Sequence, residues 1–376
     1  MTAAVEPKMP SPFARSGGLY RLLRAVHVVR QGPGDVLRES LAFILVTWVP
    51  LAAIQGVEWL TSGQLEPLFR DFSLHARFLV AAPLLFFAED TLGQRCDTAM
   101  RLLSERVDPA EADRVALVGA RLRAAPVEVV LLVLAVCTVS FGPKGLEIGS
   151  SAMGVWYRIV AGPLGSFLLL RTLWSWVVWS VVLASFSRLS LHANALHPDR
   201  SGGLGFLALP SLGFCAVLMA SSSVVSGAWA TQILVGARRF SIESAAVPFA
   251  VFLATALVVT VGPLFAFVPQ LYRARLEGLE RYSKLAETYT RLFDQRWLQG
   301  PTDDSVLGTG DIQSLADLAS AHEVVRKTRV VPFGTETLLA VILSLALPLV
   351  PLVLVQLPFT EALRRVLAII FGGYSS

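Results

Sequence analysis

The chain predicts an all-α fold: a polytopic transmembrane helix bundle of about seven spans with cytosolic helical extensions. Three observations predict it. Seven strongly apolar runs follow one another along the 376 residues, and the loops between them alternate between many and few basic residues. Hydrophobic residues make up 54% against 16% charged, and the mean hydropathy is +0.61. That balance is far from a soluble globular chain. Spans and short loops use most of the length, which excludes a large soluble appendage. Cys96, Cys137 and Cys215 cannot form a disulfide framework, and the last two lie inside apolar runs as small packing residues.

The runs are Leu41–Trp59, Phe72–Ala88, Val127–Phe141, Ile159–Phe186, Leu204–Val235, Ala246–Val268 and Leu338–Gln356. Met1 to Gly18 holds no apolar core of a cleavable signal, so the first run is read as an uncleaved insertion signal. A helix crosses about 30 Å of hydrocarbon with roughly 20 apolar residues. The second run, uninterrupted only from Phe78 to Ala88, and the third are therefore short. Loop charge favours counting both. With the N-terminus inside, the inner segments carry six (Lys8 to Arg38), six (Arg95 to Arg123), two (Arg188, Arg200) and nine (Arg273 to Arg329) basic residues. The outer loops carry only Arg70, Arg77, Lys144, Arg158, Arg238 and Arg239. The positive-inside rule then places the N-terminus in the cytoplasm and the C-terminus outside, with His75 and Arg77 reaching the outer interface.

Four regions follow: a cytosolic tail with an amphipathic helix (1–38), spans one to six (39–270), a cytosolic helical region (271–335), and the last span with an interfacial C-terminal helix (336–376). In the tail, Gly18 to Arg30 alternates leucines and valines with arginines, suited to anionic inner-leaflet lipid. Asp108-Pro109-Ala110-Glu111 starts a helix that runs into the third span, with Pro126 at the junction. The sixth span is expected to continue as a long helix bent near Pro269, carrying Leu271, Leu279, Tyr282, Leu285 or Ala286, Tyr289, Phe293 and Trp297 at multiples of three or four residues. After a polar break at Gly300–Gly310, Asp311 reads as a cap, Leu315, Leu318, Val324 and Val325 as one face, and Pro332 as the stop. These stripes call for burial on each other or on a second copy of the chain. Phe359–Phe371, interrupted by Arg364 and Arg365, reads as an interfacial helix, with a tilted eighth span as the competing reading.

Two features carry candidate chemistry. His197-Pro198-Asp199-Arg200-Ser201-Gly202-Gly203 is the densest polar motif, on the inner side between spans four and five. It reads as a Pro/Gly turn, or as an anion or lipid-phosphate site built from Arg200 and the amides of Gly202 and Gly203. A metal site using His192, His197 and Asp199 lacks a specific spacing, so no metal and no cofactor are expected. The His-Pro-Asp triplet also occurs in J-domains, but the Trp-rich apolar helix before it excludes that reading. Arg171 falls about twelve residues into the fourth run, near mid-bilayer, where a charge costs about 2.5–3.5 kcal/mol and must face the bundle interior or water. It either caps carbonyls freed by kinks near Pro163 or Pro210, or serves as a pathway or anion-binding charge. Trp174 and Ser175 share its helix face; Trp176 and Trp179 do not. Glu58, Glu128, Glu243 and Glu336 all lie near span ends, so no buried carboxylate relay is expected. The small residues Ser221, Ser222, Ser223, Ser226 and Gly227 suit close helix packing or a polar pore lining.

The strings HPDRSGGLGFL, LFRDFSLHARFLVAAPLLFFAED and LGTGDIQSLADLASAHEVVRKTRVVPF together resemble a bacterial family of uncharacterised polytopic membrane proteins. The resemblance implies a bacterial inner-membrane location and supplies no activity and no site residues. The layout is also similar to seven-helix channels of the insect chemoreceptor type, an analogy of topology. The expected function is passage of an ion or small solute. The alternatives are a membrane sensor or scaffold acting through 271–335, and a membrane enzyme using His192, His197 and Asp199. Membrane lipid and a second copy of the chain are the expected partners, and nucleic acid is not.

Overall fold

Helices form wherever the apolar runs predict them, because backbone groups that leave water can be satisfied within a helix. The computed structural model describes Phe13 and residues 35–63, 68–141, 151–234, 242–299 and 310–352. The amphipathic stretch Gly18–Arg30, most of the Gly300–Gly310 break and the Phe359–Phe371 tail lie outside them. The described residues are all-helical, and seven helices are long and apolar enough to cross a membrane. This is the architecture of a multi-pass integral membrane protein.

In chain order the helices are α1 (Asp35–Ser62), α2 (Phe72–Ser104), α3 (Pro109–Leu122), α4 (Ala125–Phe141), α5 (Ala152–Phe186) and α6 (Leu209–Leu234). There follow α7 (Ile242–Val261), α8 (Val268–Trp297), α9 (Gly310–Arg326) and α10 (Thr335–Ala346). The short second run is therefore only the apolar part of a 33-residue helix, about 50 Å long at 1.5 Å per residue. Asp108 caps α3 by accepting from the Ala110 amide at 2.8 Å, with Pro109 in the first turn. The chain breaks at Arg123 and Ala124 before resuming as α4.

Both α2 and α5 widen into π-helix just before a proline, at Ala76–Ala81 before Pro83 and at Tyr157–Ala161 before Pro163. The two widened turns meet, with Arg77 donating to the Tyr157 hydroxyl. Nearby, His75 is held by two partners: it accepts from the Trp48 indole at 3.0 Å and lies 2.8 Å from the Phe69 carbonyl.

The sixth span breaks earlier than the sequence suggests. Instead of a bend near Pro269, α7 ends at Val261 and a 3-10 turn spans Gly262–Phe267; Pro269 sits in the first turn of α8. Pro263 is the cause, since it has no N–H for the carbonyls one turn back. Side chains from other helices take over. The Trp176 indole donates to Val259 at 2.9 Å and the Ser211 hydroxyl to Thr260 at 3.2 Å.

Centrally placed α6 packs against α2 and α10. Its small residues permit close crossing: a Cβ on Gly227 would stand 2.8 Å from the Phe72 carbonyl and 2.9 Å from Ser73 Cα. Ser222 donates to the Leu345 carbonyl at 2.6 Å, beside the break at Pro348. Ser222 and Gly227 are thus packed between helices, while Ser223, Ser226 and Gly227 also border a pocket of about 480 Å³ with Phe72, His75 and Pro348. The two stripes of the 271–335 region pack as an α8/α9 hairpin. Asp311 lies inside the first turn of α9 rather than capping it, and clasps α8 instead. It accepts from the Trp297 indole at 3.0 Å and pairs with Arg296 at 3.1 Å.

The loops 105–108, 187–204 and 327–334 gather at one end of the bundle with the root of α8, here called the basal end. Gln270 of α8 donates to Ser187 and Leu189 carbonyls, and Arg106 donates to the Gly203 carbonyl.

Candidate functional site: a buried charge cluster between three spans

Arg171 faces the bundle interior and is nearly buried, its side chain 8% exposed. Its ion-pair partners are carboxylates, not kinked carbonyls. Nη2 lies 2.8 Å from Glu89 of α2, and Nε lies 3.9 Å from Glu128 of α4; the two carboxylate side chains are 13% and 17% exposed. The carbonyl-capping role proposed for Arg171 at kinks belongs, beside Pro263, to Trp176 and Ser211.

Two local features bring these groups together. Glu89 sits where the apolar run stops but the helix does not, so it is held on α2 facing the core. Glu128 lies in the first turn of α4, where the positive helix end favours a carboxylate. The break between α3 and α4 directs Arg123 back to α5, where it donates to the Ser175 hydroxyl at 2.9 Å. Ser175 in turn donates to the Arg171 carbonyl at 3.1 Å, and Trp174 donates to the Leu122 carbonyl at 2.8 Å. Arg171, Trp174 and Ser175 share a face, as their spacing implies.

The cluster therefore holds two guanidinium groups and two carboxylates and is close to neutral. That balance makes burial tolerable, since an unpaired charge taken out of water costs several kcal/mol. Glu128 lies near a helix end, as the sequence implies, whereas Glu89, inside α2 and nearly buried, corrects the expectation that no carboxylate lies deep in a span. Glu89 closed an apolar run and so read as a helix end, and its pairing with Arg171 is a contact between distant residues with no local signal.

Arg171 is the twentieth of the 35 residues of α5, near the middle of that helix and about 28 Å along it. The Trp176 indole, five residues nearer the basal end, reaches the last turn of α7 at Val259.

The HPDRSGG loop lies at the basal end, and it supplies its own anion. Asp199 accepts from the amides of Ser201 at 2.8 Å, Gly203 at 3.0 Å and Gly205 at 2.9 Å, while His197 Nδ1 lies 2.9 Å away. Burial pushes the Asp199 carboxyl up, but the amides of Ser201, Gly205 and Gly203 and the His197 ring together hold it below the ordinary carboxylate range. Gly202 and Gly203 adopt φ of +65° and +84°, and Arg200 a φ of +55° that is uncommon outside glycine. The turn presents the Arg200 carbonyl to the Arg329 amide at 2.6 Å, and Thr328 donates to the Ala195 carbonyl at 2.9 Å.

The loop thus joins the α8/α9 hairpin to the spans. The Arg200 side chain and His192 are exposed. A carboxylate committed to three amides is a weak base, so this geometry lends nothing to a catalytic His192/His197/Asp199 set. Comparison with known proteins brings no assignment: no family model, no curated protein and no solved structure matches the chain.

Proposed function

We propose that the protein passes an ion across the membrane by a proton-coupled route, with Glu89 as the carboxylate that takes up and releases the proton. The supporting observation is the unequal sharing of Arg171 between carboxylates on two different helices, at 2.8 and 3.9 Å. Charges inside spanning helices mark ion and proton pathways by default. Here the chemistry is specific: protonating Glu89 removes the stronger attraction and frees the guanidinium to close on Glu128. That exchange loosens α2 from α5 while tightening α4 on it, so a proton equivalent becomes a change in helix contacts.

The test is flux into proteoliposomes under an imposed pH gradient, read with an internal pH dye and a panel of monovalent ions. Wild type should carry flux above empty vesicles, and Glu89→Gln should abolish its proton dependence. Wild-type flux no greater than that of empty vesicles for every ion would overturn the proposal.

A sensor or scaffold acting through 271–335 is the second reading, favoured by the attachment of the α8/α9 hairpin to the HPDRSGG loop. A hairpin bonded at Arg200 and Ala195 would transmit its displacement directly to the ends of α5 and α6. On this reading, Asp199→Ala should uncouple the hairpin from the spans while leaving ion flux absent.

A further inference from the structure

The cavity of about 480 Å³ between α2, α6 and the chain just after α10 is a groove with two helical walls. On α2 its lining runs from Phe72 to Val80 and on α6 from Ser223 to Leu234, each stripe at three- and four-residue spacing; Pro348, Pro351 and Leu352 form the third side. Two helix irregularities border it: Ala76 and Val80 belong to the widened turn of α2, and Pro348 to the 3-10 turn that follows α10. The α6 side chains nearest the middle, Gly227 and Ala230, are too small to fill it. The Phe72 amide donates to the Thr231 hydroxyl at 2.8 Å. The start of α2 is therefore level with the last turn of α6, at the end of the bundle opposite the basal loops.

The walls select the ligand by chemistry. Of the three polar side chains among them, His75 has partners at both ring nitrogens, and Ser223 donates to the Ala220 carbonyl at 2.7 Å; Ser226 is the third. An ion or polar solute entering here would lose its hydration and gain few hydrogen bonds in return. Water fares little better, since it needs two to four polar partners. A hydrocarbon chain gives up nothing and restores the dispersion contacts that an empty space forfeits.

Size and direction narrow the choice further. The α6 stripe, eleven residues from end to end, is about 16 Å long and follows the helix axis. That is close to half of the roughly 30 Å hydrocarbon core, the depth of one leaflet. Phe72, Val80 and Leu234 are exposed, so the groove opens onto the lipid-facing side of the bundle.

We propose that this groove is a lipid site that holds one acyl chain of a membrane phospholipid, taken from the leaflet opposite the basal end. Its volume lies within the range of about 300–1,000 Å³ common to small-ligand pockets. The site rests on the packing of α2, α6 and α10 and is independent of ion passage.

Photocrosslinking tests it. Full-length protein is reconstituted into nanodiscs of dioleoyl phosphatidylcholine doped with a phosphatidylcholine that carries a mid-chain diazirine. After illumination, peptide mass spectrometry compares adducts on the two groove stripes with those on Val133 and Val136 of α4, which are exposed on the bundle surface and report chance contact with lipid. Groove adducts should exceed that reference several-fold. Ala230→Trp obstructs the groove partway along and should bring its adducts down to the reference level while α4 is unchanged. Ser226→Leu should act in the same direction with a smaller side chain, and thermal melts identify any variant that fails to fold.

A several-fold excess that the folded variants remove supports the site. Groove adducts no more frequent than the α4 reference overturn it, whether a second copy, residues 353–376 or nothing holds the space. Adducts that both folded variants leave unchanged overturn it as well. Adducts obtained from a diazirine fatty acid but not from the phospholipid overturn the phospholipid as the source of the chain.

Discussion

Replacing Glu89 with glutamine keeps the size and the hydrogen-bonding oxygen of the side chain and removes only its charge. Breaking a buried ion pair by neutralising one partner costs about 3–5 kcal/mol. Two features bring the expected loss to the low end, about 3 kcal/mol: glutamine still accepts from Arg171, and Glu128 can close from 3.9 Å. Glu128→Gln removes the weaker of Arg171's two ion pairs, and the loss of that pair should cost about 1 kcal/mol. The asymmetry is the real content of the prediction. A double-mutant cycle with Arg171→Gln should give a coupling of about 2–3 kcal/mol for Glu89 and under about 1 kcal/mol for Glu128. The assay is denaturant unfolding in lipid nanodiscs followed by tryptophan fluorescence, with refolding checked because membrane proteins often unfold irreversibly. Replacing both charges together, Arg171→Met with Glu89→Leu, should recover much of the loss, because apolar side chains of similar volume are at home in this core. Equal couplings for the two carboxylates, or additive effects of Glu89→Gln and Arg171→Gln, would refute the reasoning.

Reporter fusions after Arg106 and after Glu147 should read cytoplasmic and external respectively; the same side for both would remove α4 as a crossing helix and reverse the orientation argued from loop charge. Trp176→Phe keeps the ring stack on Phe214, with centroids 4.5 Å apart, but loses the bond to the Val259 carbonyl; unfolding measurements should show a loss of about 1–2 kcal/mol. Asp199→Ala leaves the amides of Ser201, Gly203 and Gly205 unsatisfied, and limited proteolysis should then cut within residues 194–204 faster than in the wild type. Arg326 and Lys327 hold the Glu323 carboxyl down to about 2 from an ordinary 4.5. Because the folded value is depressed, its contribution to α9 is fully present above the unfolded value and fades as pH falls from about 4.5 toward 2. Glu323→Gln should flatten that part of the acid-unfolding curve of the hairpin.

Much of the fold was legible because hydrophobicity acts locally. All seven runs became spanning helices, Asp108-Pro109 opened α3, and the leucine and valine faces of 315–325 packed as their spacing implies. What was not legible depended on contacts between distant residues. Glu89 and Asp90 follow an apolar run and look like the approach to a loop; only Arg171, far along the chain, gives Glu89 a reason to stay in a helix core. The bend assigned to Pro269 failed for a related reason. Pro263 and Pro269 are both helix breakers by chemistry, and the break goes where Trp176 and Ser211 can cap the freed carbonyls. Phe13 gave no signal at all, since a lone aromatic in a Pro- and Ser-rich stretch has no periodicity to read.

The location of the cluster follows from the same accounting. Glu89 ends the apolar stretch of α2, Arg123 sits in the break before α4, and Arg171 lies near the middle of α5. A lone arginine there would have to find carbonyls or water, and a lone glutamate would take up a proton. Assembled from α2, α4 and α5, each charge supplies the counter-charge that the others lack, and the cost of burial turns into a force holding three spans in register. On the proposed reading, a change in the charge of one carboxylate would alter which helix Arg171 holds, because its two ion pairs run to different helices.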